Sequence, residues 1–115
     1  MSQVMDNYRK AVAMVTAPQA FLELTTIEQD GCTLKAYQHA PGSLRDLWLL
    51  GQGYGDAEYI VYGDERLTYA EAGQMVANVS AWLASQGIGT GDRVAIAMRN
   101  YPEWILAYWG VIAAG

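Results

Sequence analysis

Five consecutive apolar residues, Val94-Ala95-Ile96-Ala97-Met98, lie between a glycine turn and a helix opened by proline, and they restrict the fold more than any other stretch. A strand covered on one face alternates apolar and polar residues, whereas a short unbroken apolar run is the pattern of a strand buried on both faces in a parallel sheet. Such a strand needs partners at both edges and cover above and below. The neighbouring sequence makes the same demand. From Ala72 to Gly91 there is no charged residue, and none follows Glu103 up to Gly115. Helices without a charged face are covered on all sides rather than laid on a surface.

The helix boundaries around this run are well marked. Thr68-Tyr69-Ala70-Glu71 is a capping box, in which the Thr68 hydroxyl accepts from the Glu71 amide and the Glu71 carboxylate accepts from the Thr68 amide. Ala72, Met75, Val76, Val79, Trp82 and Leu83 recur at three- and four-residue spacing, which predicts one buried face, and Gly87 ends the helix. Gly91-Asp92 turns the chain into the apolar run. Pro102 then opens a second helix, capped by Asn100 or Tyr101, because proline has no N–H to lose in a first turn.

Upstream, Tyr8, Val12 and Val15 form a loose apolar stripe that Pro18 ends, and the segment reads as a helical turn or a loose arm. Phe21–Ile27 and Thr33–Tyr37 read as the arms of a β-hairpin around Gln29-Asp30-Gly31. Pro41-Gly42 marks a boundary, which divides the chain into an N-terminal arm, residues 1–42, and a body, residues 43–115. In the body, Ser43 caps a helix carrying Leu44, Leu47, Trp48 and Leu50, and Gly51-Gln52-Gly53-Tyr54-Gly55 breaks it. Tyr59–Tyr62 and Leu67-Thr68 read as a hairpin turning at Gly63-Asp64-Glu65-Arg66.

With 52% hydrophobic and 17% charged residues the chain is built to have a core, and disorder is excluded as a general description. The net charge of −5 and the scattering of Arg9, Lys10, Lys35, Arg45, Arg66, Arg93 and Arg99 leave no basic patch for nucleic acid or an anionic membrane. Arg99 and Glu103 interrupt the only stretch that approaches the ~18 apolar residues of a membrane span. The lone Cys32 permits no internal disulfide, and the segment Ala11–Ala17 is short, without leucine and preceded by Asp6, unlike a secretion signal. A cytoplasmic setting is the expectation.

Candidate chemistry is sparse. His39 lies in a His-Ala-Pro loop with no nucleophile near it in sequence, and the carboxylates Asp56, Glu58, Asp64 and Glu65 fall in solvated turns. Metal-ligand spacing is absent. The glycines at 51–55 and 87–91 suggest phosphate loops, but each follows a helix instead of joining a strand to a helix N-terminus, the arrangement that aims amides at an anion. Trp82, Trp104 and Trp109 read as packing residues, with Trp104 at a helix start the one placed to line a pocket. The reading from residues therefore assigns no catalytic, cofactor-binding or metal-binding residue to this span.

The ordered motifs Leu67-Thr68-Tyr69-Ala70-Glu71-Ala72, Gly91-Asp92-Arg93-Val94-Ala95-Ile96-Ala97-Met98-Arg99-Asn100-Tyr101-Pro102-Glu103-Trp104 and Ile112-Ala113-Ala114-Gly115 resemble the AMP-forming acyl-CoA synthetases of the adenylate-forming superfamily. Ala72 departs from the family pattern, where leucine is more usual. The resemblance runs from Ser43 to Gly115, and the wording around Arg99-Asn100-Tyr101-Pro102-Glu103-Trp104 is nearest to fatty-acid and related carboxylate CoA ligases. It implies an α/β fold, the opening portion of the layered large N-terminal domain, with an incomplete sheet. It also implies a parent enzyme that uses ATP, Mg and coenzyme A, activates a carboxylic, by this wording fatty, acid, and places its Pro-Lys-Gly phosphate loop and C-terminal lysine after Gly115. None of those cofactors is expected on this span. The principal partner is then the remainder of the parent enzyme, and the span alone is expected to be inactive. The alternative expectation is a complete short α/β interaction module that buries its apolar C-terminal helix in a partner or a second copy.

Overall fold

The computed structural model describes residues 2–115, with side chains from Gln3. The fold is mixed α/β with two small antiparallel sheets. The chain separates into two units, one ending at Pro41 and the other running Gly42–Gly115.

The first unit contains helix α1 (Ser2–Val15) and the strands β1 (Leu24–Gln29) and β2 (Cys32–Tyr37). The Thr16 hydroxyl donates to the Val12 carbonyl at 2.8 Å, which closes the last turn of α1 before Pro18 stops it. The hairpin register pairs Leu24 with Tyr37, Ile27 with Leu34 and Gln29 with Cys32. Its two-residue turn needs positive φ at both positions, and Asp30 (φ 52°) and Gly31 (φ 76°) provide it. No described side chain of this unit is buried, and Phe21 is 91% exposed. It has secondary structure without a core of its own.

The second unit holds the core. Ser43 caps α2 (Leu44–Gly51) by accepting from the Asp46 amide at 3.0 Å. A short 3₁₀ turn, Gln52–Tyr54, leads to β3 (Glu58–Tyr62) and β4 (Glu65–Thr68), with an irregularity in register between Glu58 and Ile60. The expected capping box is formed: the Thr68 hydroxyl accepts from the Glu71 amide at 3.1 Å, and the Glu71 carboxylate accepts from the Thr68 amide at 2.9 Å. It starts α3 (Tyr69–Ser85), and Gly87 follows it with φ 80°. Pro102 opens α4 (Pro102–Ala114) behind Tyr101, so of the two expected caps the structure uses the second, without a side-chain bond.

Trp48, Ile60, Ala72, Val76 and Leu106 form the buried cluster, with Tyr59, Leu67, Ile105, Trp109 and Ala113 against it. Helix α4 meets α3 at Gly110, where a Cβ would collide with the Val79 side chain. Glycine is required there by contact rather than by dihedral angle. This helix is only partly covered, less than its uncharged sequence implied: Pro102, Leu106 and Gly110 are buried, Glu103 is exposed, and the rest are half-buried.

Two expectations need correction. The run Val94–Met98 is not a strand, because among the described residues no second strand lies beside it. Its backbone makes no backbone–backbone hydrogen bond there, and Ala95, Ala97 and Met98 are exposed. Helix α3 is likewise covered on one side only. Ala72, Val76 and Leu83 are buried, but Trp82 is 61% exposed. Six residues beyond Val76, Trp82 is turned well away from the stripe that faces α4.

Replacing Gly110 by alanine is expected to destabilise the second unit by about 1–3 kcal/mol through overpacking, with partial recovery in a Gly110→Ala/Val79→Ala double variant. Urea unfolding followed by circular dichroism measures both. Thr68→Ala is expected to cost about 1 kcal/mol as a lost cap. The hydrogen bonds from the Thr68 amide and then the Thr68 hydroxyl hold the Glu71 carboxyl below the usual glutamate range. Its contribution is therefore present above the unfolded-state value and is lost as pH falls through the lowered one, so Glu71→Gln should flatten the acid limb of the stability profile.

Candidate functional site

Two features of the second unit stand out from its packing. The first is an aromatic joint. Trp48 from α2 stacks on Trp109 from α4, with ring centroids 5.1 Å apart, and meets Tyr59 of β3 edge-on at 5.7 Å. The Trp109 indole N–H donates to the Tyr59 hydroxyl at 2.7 Å, and Tyr69, at the start of α3, lies 4.5 Å from Tyr59. Burial raises the Tyr59 phenol above its ordinary value; the Trp109 donor opposes the shift and Tyr69 adds to it. The rings pack on one another, and an open cleft of about 490 Å³ lies beside them, lined by Trp48, Tyr54, Tyr59, Tyr69 and Trp109 with Leu47 and Leu50.

The second feature is an apolar groove of about 490 Å³. One wall is the Val94–Met98 run, and the others are Val79, Trp82 and Leu83 of α3 with Ala107 and Val111 of α4. Val94 and Ile96 turn partly inward, while Met98 remains 57% exposed. The groove therefore offers apolar side chains beside a row of unpaired backbone N–H and C=O groups. Buried polar backbone without partners is costly, so whatever covers this surface must bring main-chain hydrogen bonds as well as apolar area.

The residues singled out from the sequence are not brought together. His39 lies in the first unit, its Nε2 3.3 Å from a Glu23 carboxylate oxygen. Cys32 is exposed on β2. Glu58 contacts Arg66 at 3.5 Å across the β3–β4 hairpin, and Asp56, Asp64 and Glu65 are exposed. Among the described residues no group of three or more His, Cys, Asp or Glu side chains could hold a metal ion. Trp104 is half-buried and stacks on Tyr108 at 5.5 Å.

The amides of the glycine turns decide whether either turn can cradle a phosphate. Gly87 and Ile88 donate to the Ala84 and Leu83 carbonyls, Gly89 to an Asp92 carboxylate oxygen at 2.9 Å, and Gly91 to Gly115. These donors are spent on the chain itself, and a carboxylate already occupies the turn. In the other turn, Gly55 donates to the Gln52 carbonyl. The Gly87–Gly91 turn therefore has most of its amides already engaged.

The sequence reading missed the Tyr59–Trp109 bond. The partners are 50 residues apart and no local pattern marks such a pair. Met75 and Trp82, expected on the buried face of α3, are instead exposed on it, and nothing in their apolar character marks them apart from Ala72, Val76 and Leu83.

With this geometry established, comparison with known proteins identifies the class. Residues 47–115 match the AMP-binding enzyme family, and the chain belongs to that family. It is 39% identical over 62 residues to a medium/long-chain-fatty-acid–CoA ligase, FadD6, of Mycobacterium tuberculosis, a match covering 54% of this chain and 10% of that protein. Over 60 residues it is 42% identical to a linear gramicidin synthase of Brevibacillus parabrevis, covering 52% of this chain and 1% of that protein. A 3-hydroxybenzoate–CoA ligase of Aromatoleum sp. is 35% identical over 66 residues, covering 57% of this chain and 13% of that protein. The chain thus matches only a small part of each relative's length. No solved structure matches it.

Tyr59→Phe leaves the Trp109 N–H without its acceptor and is expected to cost about 1–2 kcal/mol, read as a lower urea midpoint with red-shifted tryptophan fluorescence. The raised Tyr59 phenol contributes stability that is fully present below about pH 10, the unfolded tyrosine value, and is lost as pH rises through the raised one. The phenylalanine variant should lack that alkaline loss.

Proposed function

We propose that this chain is a scaffold segment of an AMP-dependent acyl-CoA ligase. The observation that carries the reading is the unpaired Val94–Met98 run: it lies inside the span matched by the AMP-binding enzyme family and lines an open apolar groove. On this reading residues 43–115 are the first part of the large AMP-binding domain and residues 1–42 are an arm before it. The remainder of the ligase covers the groove and supplies the strand or strands that pair with Val94–Met98. The enzyme as a whole joins a carboxylate to ATP, the carboxylate oxygen attacking the α-phosphorus as pyrophosphate leaves. The coenzyme A thiol then attacks the acyl carbon and releases AMP. ATP, Mg and coenzyme A are held outside this span, which contributes no catalytic, cofactor-binding or metal-binding residue.

The acid proposed is a fatty acid, on the wording of the 94–104 motif and the similarity to a fatty-acid–CoA ligase. Similar identity to a gramicidin synthase and an aryl–CoA ligase supports only the wider class of adenylate-forming ligases. Among the described residues no helix is long and apolar enough to cross a membrane, and a cytoplasmic location is part of the proposal.

The second reading is a complete short module that buries its apolar surface in a partner or a second copy. The open groove favours it to the extent that such a surface needs cover. Helix α4 is packed on one side against the chain's own core and on another lines the groove with Ala107 and Val111, so the surface left for a partner is the groove together with that side of the helix.

Sequencing the encoding DNA past the Gly115 codon separates the readings. The ligase reading expects an open frame of several hundred codons that encodes a Ser/Thr/Gly-rich loop ending in Pro-Lys-Gly, and a stop codon directly after Gly115 would overturn it. In that longer protein, ATP–pyrophosphate exchange is expected with a fatty acid, whereas the 115-residue chain should support none. Ile96→Asp in the longer protein should sharply reduce soluble yield, because it places a charge where the sheet closes. Sedimentation of the 115-residue chain as a defined dimer would instead support the module.

A further inference from the structure

We draw no further inference here: the strongest candidate beyond the surface already assigned, the groove of small side chains on α3 (Ala70, Gly73, Ala77 and Ala81) facing α2 with the unpartnered Gln52 amide nitrogen at its wall, carries nothing because Gln52 is only half-buried and nothing in the structure shows what covers the groove.

Discussion

The second unit depends on the contact of α4 with what precedes it. Two features make that contact possible, and both are specific. Gly110 lets the α4 backbone approach Val76 and Val79 of α3, and one residue earlier Trp109 reaches the other way, stacking on Trp48 and donating to Tyr59. Neighbouring residues on one helix thus contact α2, β3 and α3, elements that all lie well upstream in sequence. The β3–β4 hairpin and α2 are each too short to be stable alone. They are held because Ile60, Leu67 and Trp48 pack into the cluster that this contact closes.

The same contact explains why the rest of the unit is left open. Helix α3 spends Ala72, Val76 and Leu83 on its inner side, and among the described residues nothing covers Met75 and Trp82 on the outer one. The Val94–Met98 run is packed partly against α3 and α4 through Val94 and Ile96, but a helix face offers no main-chain donors or acceptors to an extended neighbour. Sheet pairing requires another strand. The unpaired run and the bare side of α3 are therefore one fact seen twice: among the described residues the core has one assembled layer, and its outer side is open.

Local signals in the sequence were legible where a side chain and its backbone partner lie within a few residues. Ser43 and Thr68 cap helices as their spacing requires, Pro102 opens α4, and Gly87 follows α3 with positive φ. Signals that depend on distant partners were not. The apolar run reads as a buried strand from its composition alone, whereas a strand is defined by hydrogen-bonded neighbours, and none lies beside it among the described residues. The Tyr59–Trp109 bond was invisible for a related reason, since a tyrosine in a strand and a tryptophan in a helix are each explained locally without the other. For the site the limit is different. Loop order alone kept the two glycine turns from being read as phosphate loops, because a turn that follows a helix points its amides back into the chain.

Function is divided along such a protein accordingly. The AMP-binding match extends over the capping box, the apolar run and the proline-opened helix, and the first and last of these have a packing explanation. Sequence similarity across ligases of fatty acids and aromatic acids and across a peptide synthetase is then what packing predicts. A Gly110 that admits Val79, or a Thr68 that caps α3, serves packing whichever acid a relative takes. Residues that discriminate acids must contact them, and the side chains held in place by geometry here contact one another. On the proposed reading, substrate choice is therefore to be sought outside this span.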